Sequence, residues 1–257
     1  MKLQVLISTM HQTDRSLLEK MNIQSDAIVI NQCDRNEVEQ FTFRGHDILW
    51  MSFNERGIGL SRNNALMRAN GDILLFADDD VIYDDGYAEK ITKAFEANKS
   101  ADLIAFNIRS LNPDRPQPVV EEGYRLHWFN CLKFGAVKIA VRRKALRNAN
   151  VFFSLLFGGG AKYQHGEDTL FIVQCLQKGL KGYASTEMVG AVKQEESCWF
   201  KGYDEKYFFD TGVLMKQCFG SSGYLLLFLL LIKNGTQTQT IGLWKALKVS
   251  IRGARSI

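Results

Sequence analysis

Two short acidic clusters are the residues of this 257-residue chain whose types and spacing suit metal or acid–base chemistry. Asp78, Asp79 and Asp80 directly follow the apolar run 73–77, which has the pattern of a strand buried on both faces. Adjacent carboxylates repel one another, and a divalent cation would turn that repulsion into binding because hard cations prefer oxygen ligands. The carboxyl end of a strand in an open α/β sheet is also where ligands bind. A solvated acidic turn is the alternative, and the triplet alone does not separate the two.

The second acidic cluster is the pair Glu167 and Asp168, which follows the glycine turn 158–160 and begins a predicted helix. Acids at a helix start cap it and complement its dipole, so the pair could be purely structural. The glycine turn before it and the candidate metal site elsewhere in the chain favour a functional role. A carboxylate near a bound cation can act as a general base if its geometry allows.

Arg62 is a candidate phosphate-binding cation, in the run 56–65 that begins a helix before the aspartate strand. It could neutralise a phosphate, since helix amino ends favour anions. A surface arginine is an equal alternative. The sequence contains no Walker A or GxGxxG pattern, so P-loop and dinucleotide-binding folds lose their main support.

Alternating strands and helices must position these residues. Apolar runs predict strands at 3–7, 27–30, 48–51, 73–77, 102–106 and 183–186, and 137–141 is a further β-branched run. Predicted helices cover 16–21, 60–70, 165–176 and 203–218. Asp84 and Asp85 are expected to cap one more helix that ends near Asn98. This alternation implies a parallel or mostly parallel sheet.

Composition is that of an ordinary globular chain, 46% hydrophobic and 23% charged, with room for one large domain or one domain and an appendage. The five cysteines, Cys198 among them, are scattered and form no CxxC pair. They therefore argue against a disulfide framework or a zinc site and fit a reducing compartment. The first residues have too short an apolar run for a signal peptide and predict the first strand.

The net charge of +4 resides in residues 241–257, which hold four basic residues and no acid. Of the 32 basic residues in the chain, the other 28 are balanced by 28 acids. A basic nucleic-acid-binding body is therefore not expected, and the basic tail needs its own explanation.

The same tail also carries apolar residues. The run 224–232 is too short to span a bilayer, which needs about 20 residues. In 241–257, Leu243, Trp244, Leu247 and Ile251 share one helical face that the cations mostly avoid. This pattern predicts an in-plane interfacial helix, with packing on the catalytic domain as the alternative.

Together these segments resemble the family-2 glycosyltransferases, inverting enzymes with the A-type nucleotide-diphospho-sugar transferase fold. The resemblance runs in order through 56–66 (RGIGLSRNNAL), 69–80 (ANGDILLFADDD) and 166–171 (GEDTLF), within roughly residues 1–200. Three motifs in order are more specific than any one of them. The resemblance implies an α/β fold: a Rossmann-like mixed, mostly parallel sheet flanked by helices, with a helical C-terminal tail.

The resemblance also implies individual roles. The family's DxD element falls on Asp78 and Asp80, with Asp79 between them. These acids would hold the donor's ribose and a Mg²⁺ or Mn²⁺ ion on its diphosphate, with Asp80 and Asp78 as the metal ligands. The catalytic pair would be Glu167 and Asp168, with Asp168 as the base that deprotonates the acceptor hydroxyl.

Two loops depart from the family pattern. The first reads Ser8-Thr9-Met10-His11 where the family often has Pro-Thr-Tyr-Asn. After the second strand, Asn31 and Gln32 replace two acids, one of which contacts uracil in the family, and Asp34 lies nearby. The residues assigned to nucleotide-sugar binding are Thr9, Gln32, Asp34, Arg62, Asp78 and Asp79, and the identity of the base stays open.

The predicted function is metal-dependent transfer, with inversion, from a nucleotide-diphospho-sugar, foremost a UDP-sugar, to a saccharide or polyprenyl-linked acceptor in bacterial surface polysaccharide synthesis. Residues 1–220 would form the catalytic domain, with a nucleotide-binding half at 1–107 and an acceptor half at 108–220. Loop 109–123 and turn 158–160 would shape the acceptor side. The tail, 221–257, would hold a cytoplasmic enzyme peripherally on the inner-membrane surface.

Two other functions stay open. A phosphatase-type hydrolase would use Asp78 as nucleophile, but Val81 and Ile82 stand where a hydroxyl residue is expected. A non-catalytic, membrane-bound assembly subunit is disfavoured because Asp80 and Asp168 are both intact.

Overall fold

A computed structural model of the chain describes residues 1–194, 202–233 and 235–257, so Cys198 lies outside the described residues. The strands are β1 (Leu3–Met10), β2 (Asp26–Gln32), β3 (Glu37–Phe43), β4 (His46–Phe53), β5 (Ile73–Asp78), β6 (Val81–Tyr83), β7 (Leu103–Ser110), β8 (Tyr124–Arg125), β9 (Ile139–Arg142) and β10 (Gly182–Val192). The helices are α1 (Ser16–Lys20), α2 (Ile58–Arg68), α3 (Tyr87–Ala97), α4 (Arg143–Ala149), α5 (Glu167–Gln177), α6 (Glu205–Phe219), α7 (Gly223–Lys233) and α8 (Leu243–Ala254).

The ten strands of the described residues form one mixed sheet in the order β3-β4-β2-β1-β5-β9-β7-β10-β6, with β8 paired to β10. The run β4-β2-β1-β5 is parallel. Strand β9 lies antiparallel between β5 and β7, and β7 pairs parallel with β10. The predicted fold class is therefore confirmed: a Rossmann-like mixed sheet, parallel at its centre, flanked by helices and followed by a helical tail.

The central strands form because their side chains are apolar on both faces. On β5, Leu74 and Phe76 enter one hydrophobic cluster, whereas Ile73, Leu75 and Ala77 enter the cluster on the opposite face. This alternation is the two-residue period of a strand. Because the apolar run ends at Ala77, Asp78 emerges at the carboxyl edge of the sheet, where Ser8 of β1 is its register partner.

Strand β3 and helix α4 were not predicted. Strand β3 (sequence EVEQFTF) is largely polar because it is the edge strand of the sheet, paired only with β4. Such a strand has little of the apolar signal on which strand prediction rests. Helix α4 directly follows β9 and holds Leu146 as its buried residue.

The predicted capping of the helix after residue 85 is wrong. The residue before α3 is Gly86, and no side chain caps that helix. Asp84 instead pairs with Arg109 at 2.8 Å, and Asp85 accepts hydrogen bonds from Asn22 and Gln24. Tertiary partners therefore take both carboxylates away from the helix start.

Helices α6, α7 and α8 share a third hydrophobic cluster. Helix α8 lies so close to α6 that a Cβ on Gly212 would meet the Ser250 carbonyl oxygen at 1.8 Å. The predicted boundary at 220/221 falls inside this three-helix unit, which begins at Glu205. The predicted halves at 1–107 and 108–220 share one sheet, since β9 is inserted between β5 and β7.

Helix α8 buries Ala246, Val249, Ser250, Gly253 and Ala254. Leu243 and Leu247 of the predicted membrane face pack against the third cluster. Of that face, Trp244 stays largely exposed, at 71%. Part of the predicted interfacial surface is therefore used for packing inside the protein.

Among the described residues, the helical stretch Glu205–Lys233 is long and apolar enough to cross a membrane by length and composition. It is not one uninterrupted helix, because a 3-10 turn at Gly220–Ser222 separates α6 from α7. Beyond that turn, a Cβ on Gly223 would meet the Met215 carbonyl oxygen at 2.3 Å, so the start of α7 packs directly on α6.

We expect Gly212→Ala to destabilise the protein, because the added methyl group has no room between α6 and α8. Overpacking of this kind costs about 1–3 kcal/mol. Urea unfolding would measure the loss. Gly235→Ala is the matched control, since its Cβ would lie at 3.6 Å from the nearest atom, the Ile232 carbonyl oxygen. Equal stability of the two variants would contradict the close packing.

Candidate active site

The candidate active site lies at the carboxyl edge of the central strands. Asp78 is the last residue of β5, and Glu167 and Asp168 are the first two residues of α5. Helix α2 passes between them and supplies Arg62. Asp78 and Asp168, which lie far apart in the sequence, therefore both contact the guanidinium of Arg62.

Arg62 is the buried centre of this site, with only 2% of its side chain exposed. Its Nη2 donates to Asp78 Oδ1 at 3.0 Å and to Oδ2 at 3.2 Å. Its Nη1 donates to Asp168 Oδ1 at 2.5 Å and lies 3.4 Å from Glu167 Oε1. The guanidinium also lies over the Phe153 ring, 5.1 Å from its centre. The surface-arginine alternative is therefore excluded, and the side chain that was predicted to bind phosphate contacts three carboxylates here.

Burial sets the protonation of this cluster. Desolvation and the charge of Asp168 raise the pKa of Glu167 to about 7, against the opposing effect of Arg62. Desolvation alone would lower the pKa of Arg62. The charges of Asp168, Asp78 and Glu167 outweigh this effect and raise the pKa above its usual value. The guanidinium thus stays charged, whereas Glu167 exchanges a proton near neutral pH.

Asp168 is held at both carboxylate oxygens. While Oδ1 accepts from Arg62, Oδ2 accepts from the backbone N–H of Ala136 at 2.9 Å. The segment before β9 therefore fixes the orientation of the carboxylate. Because a carboxylate has about four acceptor positions, each oxygen keeps one free for a further donor such as a hydroxyl.

The other two aspartates of the triplet, Asp79 and Asp80, lie in different surroundings. Asp79 is exposed and accepts from Thr9 Oγ1 at 2.6 Å, and Gln12 donates to the same Thr9 oxygen. Asp80 has no ion-pair partner among the described residues. Burial and the neighbouring charges of Asp78 and Asp79 raise its pKa to about 6. Of the triplet, Asp80 is therefore the carboxylate whose charge is least compensated.

The end of β2 and the loop after it hold the remaining predicted residues. Gln32, the last residue of β2, is buried and accepts from the Gly57 N–H at 2.7 Å, which ties the end of this strand to the start of α2. Asn31 is also buried, and binds both backbone polar groups of Gln12. Asp34 is exposed in the loop. The two amides are thus part of the scaffold, and Asp34 is the carboxylate this loop offers to solvent.

The triple-glycine turn packs directly on Glu167, one of the predicted catalytic pair. Gly158 has φ +100°, and a Cβ there would meet the Glu167 carboxyl carbon at 2.7 Å. The Ile58 N–H donates to the Gly159 carbonyl at 3.0 Å, so the turn also holds the start of α2. Glycine is required at this position because both the backbone conformation and the space exclude a side chain.

Helix α6 anchors the loop that leads into Glu167 and Asp168. Asp210 is fully buried, pairs with Lys206 Nζ at 2.5 Å and accepts from the Gln164 N–H at 2.9 Å. The His165 ring packs against the Tyr207 ring at a tilt of 34°, with centres 4.4 Å apart. Sequence reasoning missed these contacts, and also Ala136, because a Lys–Asp pair at helical spacing and a backbone N–H carry no functional signal.

The donor set suits a hard divalent cation, although the described residues contain no group of three acidic, histidine or cysteine side chains arranged to hold a metal by themselves. Magnesium is usually bound by one or two carboxylates together with substrate phosphates and water. Asp80 and the open side of Asp78 supply such carboxylates, and the under-compensated charge of Asp80 is what a cation would relieve. The residues present therefore fit Mg²⁺ or Mn²⁺ bound jointly with a diphosphate.

A mixed sheet with a carboxylate cluster at its carboxyl edge is the arrangement expected of an A-type nucleotide-diphospho-sugar transferase. The glycosyl transferase family 2 model matches residues 8–150, more than half of the chain. The chain therefore belongs to glycosyl transferase family 2 and is a glycosyltransferase. The matched region contains Arg62 and the aspartate triplet, while Glu167 and Asp168 lie beyond its end. Comparison with curated protein sequences gave no match.

Solved structures share the fold at low sequence identity. A crystal structure of S. aureus TarS 1-349 is 14% identical in sequence to this chain and matches it with a TM-score of 0.68. The match covers 98% of this chain and 81% of the TarS chain. The same protein in complex with UDP-GlcNAc has a TM-score of 0.64 over 94% of this chain and 74% of its own. A mannosyltransferase from Pyrobaculum calidifontis, in complex with GDP-Man and Mn²⁺, is 12% identical with a TM-score of 0.52, and covers 99% and 74%.

We expect Glu167→Gln to change how stability depends on pH. The folded-state pKa of Glu167 is about 7 and the ordinary value is 4.5, so between these values the folded state binds more protons than the unfolded state. The wild type should therefore lose stability as pH rises through this window, by up to about 3 kcal/mol. The neutral amide should lack this contribution, whereas the loss due to Asp80, whose pKa is also raised, should persist in both proteins.

Urea unfolding at pH 5 and pH 8 would measure the difference. Glu121→Gln on the exposed loop is the matched control and should behave as the wild type. If the wild type and Glu167→Gln lose equal stability between the two pH values, Glu167 is not the group that titrates.

Proposed function

We propose that the protein is a metal-dependent, inverting glycosyltransferase that uses a nucleotide-diphospho-sugar, foremost a UDP-sugar. The observation that carries the proposal is the shared guanidinium: Arg62 binds both Asp78, from the aspartate triplet, and Asp168, the candidate base. The donor diphosphate and the acceptor hydroxyl would thus be held at opposite ends of one rigid cluster. A short, fixed separation between reacting groups is what a direct displacement requires.

In the proposed reaction, Asp168 takes the proton of the acceptor hydroxyl. The hydroxyl oxygen forms a bond to the anomeric carbon as the bond from that carbon to the diphosphate oxygen breaks. The products are the glycoside, inverted at the anomeric carbon, and a nucleoside diphosphate. Ala136 and Arg62 orient Asp168 for this step, and Glu167 supports it as a neighbour that exchanges protons near neutral pH.

Asp80 and Asp78 would hold the Mg²⁺ or Mn²⁺ ion. Such an ion neutralises negative charge on the departing diphosphate. The Thr9 hydroxyl donates to the Asp79 carboxylate at 2.6 Å. This hydrogen bond would orient Asp79 for contact with the donor before the donor binds. A preorganised set of charges stabilises the transition state without rearrangement at the moment of reaction.

The nucleoside would lie against the loop after β2. Because Asn31 and Gln32 are committed to backbone contacts, we assign the base contact on this loop to the exposed Asp34. A UDP-sugar donor is favoured by the likeness to TarS, which was crystallised with UDP and with UDP-GlcNAc. The mannosyltransferase complex, which holds GDP-Man, marks GDP-sugars as the alternative.

The proposed acceptor is a saccharide or polyprenyl-linked hydroxyl compound of bacterial surface polysaccharide synthesis, met at the cytoplasmic face of the inner membrane. Segment 111–123 and turn 158–160 are the proposed acceptor-side loops. Lys138 is buried and donates to the Pro118 carbonyl at 3.2 Å, which ties the first of these loops to the segment that holds Asp168. Burial also lowers the pKa of Lys138 to about 8.

Asp168→Asn tests the base. We expect turnover to fall by at least about a hundredfold, the usual scale for loss of a general base, with donor binding near the wild-type level. Because an amide has only one oxygen, the variant loses either the Arg62 or the Ala136 contact, so its thermal unfolding must be compared alongside. A folded variant with near-normal turnover would reassign the base, with Glu167 the next candidate.

Asp80→Ala tests the metal site. Titration with UDP should show loss of Mn²⁺-dependent binding. Asp47→Ala, at an exposed aspartate near the amino end of β4 and so at the opposite edge of the sheet, should retain it. In the wild type, Mn²⁺-dependent UDP binding should weaken as pH falls through about 6, where the Asp80 carboxylate gains a proton. Undiminished Mn²⁺ dependence in Asp80→Ala would show that Asp80 is not the ligand.

A further inference from the structure

Helix α7 carries an exposed apolar stripe that no part of the described structure covers. Leu225, Phe228, Leu229 and Ile232 follow the spacing of one helical face and are 65%, 38%, 52% and 52% exposed. The opposite face of the helix holds Gly223, Leu227 and Leu231, which are buried against the rest of the protein. We call the four exposed side chains the α7 stripe.

The chain segment that carries this stripe is rich in basic residues and contains no acids. From Thr211 to Ile257 the sequence contains six basic residues and no Asp or Glu. Glu205 pairs with Lys245 at 2.7 Å and lies 4.0 Å from Arg252. Lys233, Lys248 and Arg255 have no ion-pair partner among the described residues. Trp244, the most exposed large apolar residue of the tail, lies on the adjacent helix α8.

We propose that the α7 stripe inserts into the surface of an anionic lipid bilayer, with Trp244 and the unpaired cations of the tail at the headgroups. An apolar stripe buried to the acyl boundary and flanked by Lys and Arg is the arrangement of an in-plane membrane helix. Tryptophan favours the headgroup region of a bilayer because its ring is amphipathic. The surface differs from the apolar face of 241–257 read from the sequence, since much of that face packs inside the protein.

Two other arrangements fit the observations less well. A symmetric contact with a second copy would bring the same cation-rich surfaces together, and like charges oppose such a contact. A transmembrane helix would need about 30 Å of apolar length, whereas the 11 residues of α7 span about 16 Å. Extending the span into α6 would remove the buried Asp210 from its contacts with the catalytic domain.

Membrane attachment through the α7 stripe would bring the active site close to a lipid-linked acceptor. This part of the inference rests on the proposed function. Phe219 ends α6 immediately before the turn into α7, and Trp128 packs against it with ring centres 5.6 Å apart. The segment that begins at Trp128 continues to Ala136, whose N–H holds Asp168. Membrane attachment through α7 would therefore place the chain segment that orients the base beside the bilayer, where a lipid-linked acceptor resides.

Vesicle co-sedimentation of the full-length protein tests the surface. We expect binding to vesicles made of equal parts phosphatidylcholine and phosphatidylglycerol, and much weaker binding to phosphatidylcholine alone. Leu225→Ser combined with Leu229→Ser should lower the partition coefficient at least about tenfold, because two exposed leucines no longer insert. Val38→Ser with Met67→Ser is the matched control, since these apolar residues are 61% and 63% exposed elsewhere in the protein.

Lys248→Ser with Arg255→Ser tests the charge contribution separately. Each cation should contribute about fivefold at low salt, and the difference should shrink as salt screens the attraction. Thermal unfolding should be unchanged in all these variants because the substituted side chains are exposed. The proposal is overturned if the wild type does not bind anionic vesicles or if the α7 variant binds as well as its control. It is equally overturned if the wild type is a dimer that the α7 substitutions dissociate without affecting lipid binding.

Mn²⁺-dependent binding of UDP, measured on the same preparations without vesicles, separates this proposal from the proposed function. A wild type that binds UDP but does not bind anionic vesicles overturns the membrane surface alone. Retained vesicle binding with no UDP binding, in the wild type, contradicts the proposed donor site and leaves the surface intact.

Discussion

The buried guanidinium of Arg62 is the interaction on which the rest of the site depends. Three carboxylates from two distant segments meet at one cation with a 2% exposed side chain. Without a positive charge at that point, their mutual repulsion in a desolvated pocket would be strongly unfavourable. Every element around the site serves this geometry: β5 ends in Asp78, α5 begins with Glu167, and α2 carries Arg62 between them.

Glycines and a buried ion pair let these elements approach each other. Gly158 gives the turn beside Glu167 a conformation and a clearance that no other residue permits. On the far side, Asp210 and Lys206 of α6 hold the loop that enters α5. Helix α6 therefore contacts the loop that carries the candidate base, although α6 lies outside the segment that matches the family model.

The tail shows how one apolar segment can have two roles. Helix α7 buries Leu227 and Leu231 inside the three-helix cluster and presents Leu225 and Leu229 on the opposite side. Packing uses the first face and a membrane would use the second. The absence of acids from Thr211 onwards leaves the surface attractive to anionic lipid whichever face is buried.

The sequence by itself determined the central strands, the main helices and the acidic clusters, because continuous apolar runs and their abrupt ends are local signals. The family resemblance, predicted from three motifs in order, was confirmed by the family model, which spans the first two of them. Only the tertiary structure decided that Arg62 is buried among carboxylates, that Asp84 and Asp85 bind partners instead of capping α3, and that α8 packs on α6. Each of these depends on contacts between residues far apart in the chain, and neither residue type nor spacing encodes which partner a side chain will meet. The polar edge strand β3 escaped prediction for a related reason: a strand paired on one side need not be apolar, so its local pattern is weak.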